Sequence, residues 1–219
     1  MTTTTSNTVL LTGFAPFGGE STNPSWEAVR QLHGKRIKSA KVHAHMLPVE
    51  FGASVRELSK VMRSVKPSLV ICVGQAGGRT GMSLERVAIN VDDARIADNA
   101  GAQPVDTEIV EGGPAAYFSS LPIKAIHRDL TDAGVPAHVS QTAGTYVCNH
   151  VFYGLMHAIR NRRGVRGGFI HIPFSPEQAA GQAERPSMDI DTVVKGLRVV
   201  VATALATGAD IRRAGGAEC

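Results

Sequence analysis

Residues 68–73 read SLVICV, an apolar run with no alternating polar positions. A strand with one wet face alternates, so an unbroken run belongs to a sheet covered on both faces. It opens directly into the glycine-rich loop GQAGGRTG at residues 74–81. Further strands are expected at residues 9–12, ending in Gly13, and at 41–47, 85–90 (ERVAIN), 137–140 and 168–172 (GFIHI). Helical patterns separate them. Asn23 suits a helix cap, with Pro24 at the first helical position, and Trp26, Val29 and Leu32 form a stripe ended by Gly34. Phe51, Val55, Leu58, Met62 and Val65 keep a three-or-four spacing that Lys66-Pro67 stops. Residues 122–132, the segment from Cys148 to Ile159, and the segment from Ile190 to Leu205 complete the helices. This alternation predicts an α/β chain: a single domain with a twisted, mostly parallel sheet and helices on both faces. Residues 91–118, rich in Asp, Gly and Pro, read as a long surface excursion. With no internal repeat or linker, residues 1–219 are expected to form one domain, with 1–7 and about 209–219 as loose tails.

Composition excludes several classes of function. A net charge of +4 carries no basic stripe, and the densest cluster, Arg160, Arg162, Arg163 and Arg166, reads as a solvated helix end. Nucleic acid is therefore not an expected partner. No stretch approaches the roughly 18 apolar residues of a membrane helix. The start, MTTTTSNT, lacks the charged and apolar regions of a signal peptide. Cys72, Cys148 and Cys219 are odd in number, widely spaced and without a CxxC pair. Neither a disulfide framework nor a metal site is expected, and a reducing, cytoplasmic setting is favoured.

Ligands of open α/β sheets collect at the carboxyl ends of strands. Four segments place unusual residues there: the loop after residue 13, the loop at 74–81, the turn TYVCN at 145–149, and His171. Cys148 falls at a helix start, where free N–H groups and the helix dipole favour a thiolate and could bind an oxyanion. On local sequence alone, a nucleophile and a buried structural cysteine both remain open. Cys72, between Ile71 and Val73, reads as core, and Cys219 as an incidental thiol. Alternation turns His171 away from the face of Ile170 and Ile172, where it is either a base or a structural histidine. Glu85, read as an acid at the start of its strand, is either a solvated end residue or the group that orients the histidine. His150 and His157 read as structural or exposed. Neither glycine loop carries a nucleotide-binding spacing. Phe14 and Phe17 share a Gly/Pro loop and either fold inward or line a flat apolar pocket.

The stretches LLTGFAPFGGESTNPSWEAV, ICVGQAGGRTGMSLERVAINVDDARIADNAG, GGPAAYFSSLPIKAI, TAGTYVCNHVFYGLMH and GGFIHIPFSPEQ, in this order, resemble the pyroglutamyl peptidase I family of cysteine peptidases. The resemblance spans nearly the whole chain. It implies removal of N-terminal pyroglutamate (5-oxoproline) from peptides without metal or organic cofactor. It implies catalytic roles for Cys148, His171 and Glu85, and a substrate pocket with Phe14, Phe17, Gln75 and Tyr146. Tyr146 stands where related sequences more often have Phe, which brings an extra hydroxyl toward the pocket. A homo-oligomer, a tetramer, is also implied. The reading from a different class is a noncatalytic pyroglutamate- or amide-binding module on the same fold. Fast alkylation of Cys148 that depends on His171 would separate the two.

Overall fold

The computed structural model describes residues 8–180 and 185–216; the N-terminal tail at 1–7 and Cys219 lie outside the described residues. The chain runs β1 (Thr8–Phe14), α1 (Pro24–Arg30), β2 (Arg36–Ile37), β3 (Ala40–Leu47), α2 (Ala53–Val65), β4 (Leu69–Gln75) and β5 (Met82–Glu85). It continues through β6 (Val87–Ile89), β7 (Ala116–Phe118), α3 (Ile123–Asp132), β8 (Ala137–Ser140), α4 (Val147–Ile159), β9 (Arg166–Ile172), α5 (Pro176–Ala179) and α6 (Ile190–Ala206). Local chemistry explains the boundaries. Asn23 caps α1 by accepting from Ser25 N–H. Lys66, at φ 49°, turns the chain out of α2 in a left-handed conformation. Asp189 caps α6 through Thr192 N–H.

The main sheet has the order β2-β3-β1-β4-β9-β5-β8. From β3 to β9 the ladders are parallel, and β5 pairs with β8 in parallel, but β5 meets β9 antiparallel. The sheet is mostly parallel, as expected, but mixed: β2, β5 and β8 run against β3, β1, β4 and β9. β4 and β5 are neighbours in sequence, yet β9 lies between them. Every residue from Leu69 to Gly74 is buried, as the unbroken apolar run requires. One core joins the sheet to α1, α3 and α6 through Leu11, Ile71, Ile170, Leu130 and Val201. The other joins it to α2 and α4 through Leu10, Val70, Phe169, Leu58 and Phe152. Each such side chain contributes about 1.5–3 kcal/mol on burial.

Two expectations are corrected. Residues 85–90 are not one strand: Glu85 closes β5, and after Arg86 the chain forms β6, which pairs with β7 in a separate two-stranded sheet. The strand-forming Val87 and Ile89 were visible in the sequence, while Met82, Ser83 and Leu84 carry no β-branched signal. The excursion at 91–118 is not merely surface: Asp92, Ala94 and Asp98 are buried, and it includes β7. Beyond the β7 ladder and a bridge between Asp92 and Thr107, side chains fix it. Asn149 accepts from Ile89 N–H and donates to the carbonyls of Ile89 and Val91. Asp98 accepts from the N–H groups of Phe51, Ala100 and Ala102. Near the end of the described chain, Asp210 accepts from Lys124 and Ala125 N–H at the start of α3.

Candidate active site

The site forms where β4, β9 and β5 lie side by side beneath the start of α4. Register places His171 beside Gly74 on one neighbour and Ser83 on the other. Ile170 and Ile172 enter the core with α1, α3 and α6, so His171 and Phe169 face α4, as alternation predicts. Leu84 pairs with Ile170, which puts Glu85 on the His171 face. His171 Nδ1–H donates to Glu85 Oε1 at 2.9 Å. Both groups are out of water, with Glu85 at 0% and His171 at 3% exposure. A buried carboxylate on Nδ1 fixes the imidazole tautomer, leaving Nε2 as the basic nitrogen, and stabilises the protonated ring.

Cys148 is the second residue of α4, whose N-terminus has no side-chain cap. The leading N–H groups of a helix have no partner within it, so they are available to an oxygen held against the thiol. The sulfur approaches β4 so closely that a Cβ on Gly74 would lie 2.8 Å from Cys148 Sγ and 2.8 Å from the Phe169 ring. Only glycine leaves room for the thiol at this point in the sheet. Cys148 and His171 line one cleft of about 370 Å³ with Gln75, Arg79, Thr145 and Tyr146. The sequence reading expected the helix start to lower the thiol pKa. Instead, burial, then the charge of Glu85 and the neighbouring Cys72, push the Cys148 thiol up to about 12.

Behind the thiol lies a narrow recess lined by Phe14, Phe17, Gln75, Tyr146, Val49 and Cys148. The four residues expected at the substrate pocket thus converge beside the expected nucleophile. Phe14 is buried against Phe169, with ring centroids 6.3 Å apart. Gln75 Oε1 accepts from Gln178 Nε2 at 3.3 Å, which fixes which end of the amide is engaged. The Tyr146 hydroxyl donates to Ala97 C=O at 3.1 Å. The extra hydroxyl is therefore spent on the excursion. Cys72 is fully buried in β4, and burial pushes its thiol up to about 12.

Sequence reasoning missed Arg79, whose Nη2 sits 3.7 Å from Glu85 Oε1. It missed Gln178 as well. The only signals were an arginine inside a glycine loop and a glutamine three residues after Ser175. His150 is structural: its Nδ1–H donates to Asp92, and its Nε2 accepts from Gly52 N–H. His157 bonds the Tyr117 hydroxyl at the far side of α4. Among the described residues, no group of three or more His, Cys, Asp or Glu is placed to hold a metal. No described helix is long and apolar enough to cross a membrane.

The family model for pyroglutamyl peptidase matches residues 7–207. The chain belongs to the pyroglutamyl peptidase family. It is 64% identical over 211 residues to the pyrrolidone-carboxylate peptidase of Cupriavidus taiwanensis, covering 95% of this chain and 98% of that one. Among solved structures it resembles pyroglutamyl peptidase I of Bacillus amyloliquefaciens, with a TM-score of 0.91, 50% identity and coverage of 94% and 100%. The pyrrolidone carboxyl peptidase of Thermococcus litoralis matches with a TM-score of 0.92 at 36% identity, covering 95% and 99%. The pyroglutamyl peptidase fold thus persists down to 36% identity, and the mixed sheet with its helix-covered faces is that fold.

Proposed function

We propose that this chain removes N-terminal pyroglutamate from peptides, with Cys148 as nucleophile, His171 as base and acid, and Glu85 as the group that orients and charges His171. The observation that carries the reading is the buried His171–Glu85 bond of 2.9 Å, whose histidine lines the same cleft as Cys148. Family membership supplies the substrate class. Pyroglutamate has no free amine, so its pocket must read a flat ring and a lactam. Phe14 and Phe17 supply apolar faces for the ring. Gln75, held through its oxygen by Gln178, turns its amide N–H groups toward donating duty for the lactam carbonyl.

The high thiol pKa sets the order of events. Cys148 rests as the thiol, and His171 Nε2 takes its proton as the sulfur attacks the pyroglutamyl carbonyl. The oxyanion is held by N–H groups at the start of α4. The imidazolium returns that proton to the leaving amine as the C–N bond breaks. Water, deprotonated by the same nitrogen, then hydrolyses the thioester and frees Cys148. No metal or organic cofactor has a step in this sequence. The test is release of a fluorescent amine from a pyroglutamyl amide by purified protein: wild type turns over, and Cys148→Ala does not. Retained turnover in Cys148→Ala would remove the nucleophile.

Two further readings follow, the first resting on the family resemblance and the second on the odd, widely spaced cysteines. The working form is a homo-oligomer, a tetramer, which light scattering of purified protein tests. Phe118 and Val105, 71% and 68% exposed, are apolar surface that such an assembly would cover. The compartment is the cytoplasm, where Cys148 stays reduced; fractionation tests this.

A further inference from the structure

Arg79 belongs to the glycine loop that leaves β4, and it touches two other parts of the site. Its Nη2 donates to the carbonyl of Thr142 at 3.2 Å, in the turn that leads to Cys148. The same Nη2 lies 3.7 Å from Glu85 Oε1, the oxygen that also accepts from His171 Nδ1. Glu85 is fully buried, and its other oxygen, Oε2, has no hydrogen-bond partner among the described residues. A buried carboxylate with one vacant oxygen is costly to keep charged unless a cation stands near it. Arg79 is the one lysine or arginine within ion-pair distance of Glu85 among the described residues. The other titratable groups facing Glu85 are His171 from β9, His138 from β8 and Cys148 from α4. His138 is held low by burial first and by the Arg79 charge second, so the guanidinium field reaches across this cluster.

We propose that Arg79 is a positioning residue: it keeps the Glu85 carboxylate charged and aimed at His171, and it ties that pair to the turn carrying Cys148. The inference rests on the proposed roles of Glu85, His171 and Cys148. Arg79 acts through Glu85, so its loss leaves the pair holding its proton to higher pH and its acceptor loosely aimed, and turnover falls more than binding. At 27% exposure its side chain is no part of the core, so variants fold.

The test compares wild type with Arg79→Met and Arg79→Lys on a pyroglutamyl fluorogenic amide across pH. Arg79→Met lowers kcat by about tenfold or more, with KM changed by less. Without the neighbouring cation the Glu85–His171 pair keeps its proton to higher pH, so the acid limb of kcat/KM moves upward. Arg79→Lys restores both the rate and the limb. A merely structural arginine would lower activity without moving the limb, and lysine would not restore it; either result overturns the proposal. A second readout needs no turnover: the pH at which the His171 ring signal changes in ¹⁵N NMR rises in Arg79→Met and not in Arg79→Lys. If wild type releases no amine, the proposed function fails on its own, and the NMR comparison still decides the role of Arg79. An unmoved ring signal in Arg79→Met counts against it.

Discussion

At Gly74 the space for one methyl group decides whether the nucleophile fits. Gly74→Ala would set a Cβ 2.8 Å from Cys148 Sγ, displacing the thiol by a large fraction of an ångström. Misplacement of about 1 Å can cost about 100-fold in rate, so kcat on a pyroglutamyl amide is expected to fall by that order. Overpacking against Phe169 adds a stability loss of about 1–3 kcal/mol, read from urea unfolding. Cys148→Ser should be nearly as inactive as Cys148→Ala, because a hydroxyl is far less acidic than a thiol. Cys72→Ser should keep its rate and lose about 1–3 kcal/mol through a buried hydroxyl. A dead Cys72→Ser beside an active Cys148→Ala would reverse the assignment. The thiol itself makes a separate prediction. With its pKa pushed up to about 12 by burial and Glu85, the thiolate fraction grows as pH rises. Iodoacetamide should therefore react with free enzyme ever faster up to and beyond pH 10, about tenfold per unit while the thiol remains mostly protonated. His171→Ala should slow the reaction near neutral pH. A rate already flat at pH 7 would mean a preformed thiolate–imidazolium pair.

Among the elements, the excursion at 91–118 shows how tertiary bonds replace local pattern. Its sequence has little period, because only the short β7 ladder and one bridge between Asp92 and Thr107 hold its backbone; the Asn149 carboxamide, Asn90 and Asp98 hold the rest. Asn149→Ala would leave Ile89 N–H and the carbonyls of Ile89 and Val91 without that partner. The expected cost is about 1–3 kcal/mol, measured by thermal unfolding. Because Asp93, Arg95 and Ile96 line the cleft, KM should rise more than kcat falls. An unchanged KM would separate the excursion from substrate binding. The strands rich in Val and Ile were readable because side-chain pattern alone specifies them. β5 was not, since MSLE carries no such pattern and its reversed direction is a property of the sheet. The recess residues were legible only through the family resemblance. The Arg79–Glu85 approach was not legible at all, because nothing in the spacing of 79 and 85 tells that the loop folds back over its own strand.

For the molecule as a whole, the substrate must bring a neutral ring into the recess. Matching pyroglutamyl, prolyl and glutaminyl amides should differ in kcat/KM by about 10⁴-fold in favour of the first. Proline would bury a protonated nitrogen beside Phe14 and Phe17 and leave the lactam donors unpaired. Glutamine lacks the flat ring and also carries a charged amine. Phe14→Ala and Phe17→Ala should chiefly raise KM. Comparable rates for prolyl and pyroglutamyl amides would sink the lactam pocket even with the nucleophile intact. The seat of β9 between β4 and β5 has a consequence during synthesis. The strand that joins the two parts of the main sheet, residues 166–172, leaves the ribosome after every other strand. Until then β4 and β5 each present an unpaired edge, the kind of edge that invites another chain. His171 arrives with the same segment, so a nascent chain carries the thiol of Cys148 before it carries the base, and stays inert until its sheet is closed.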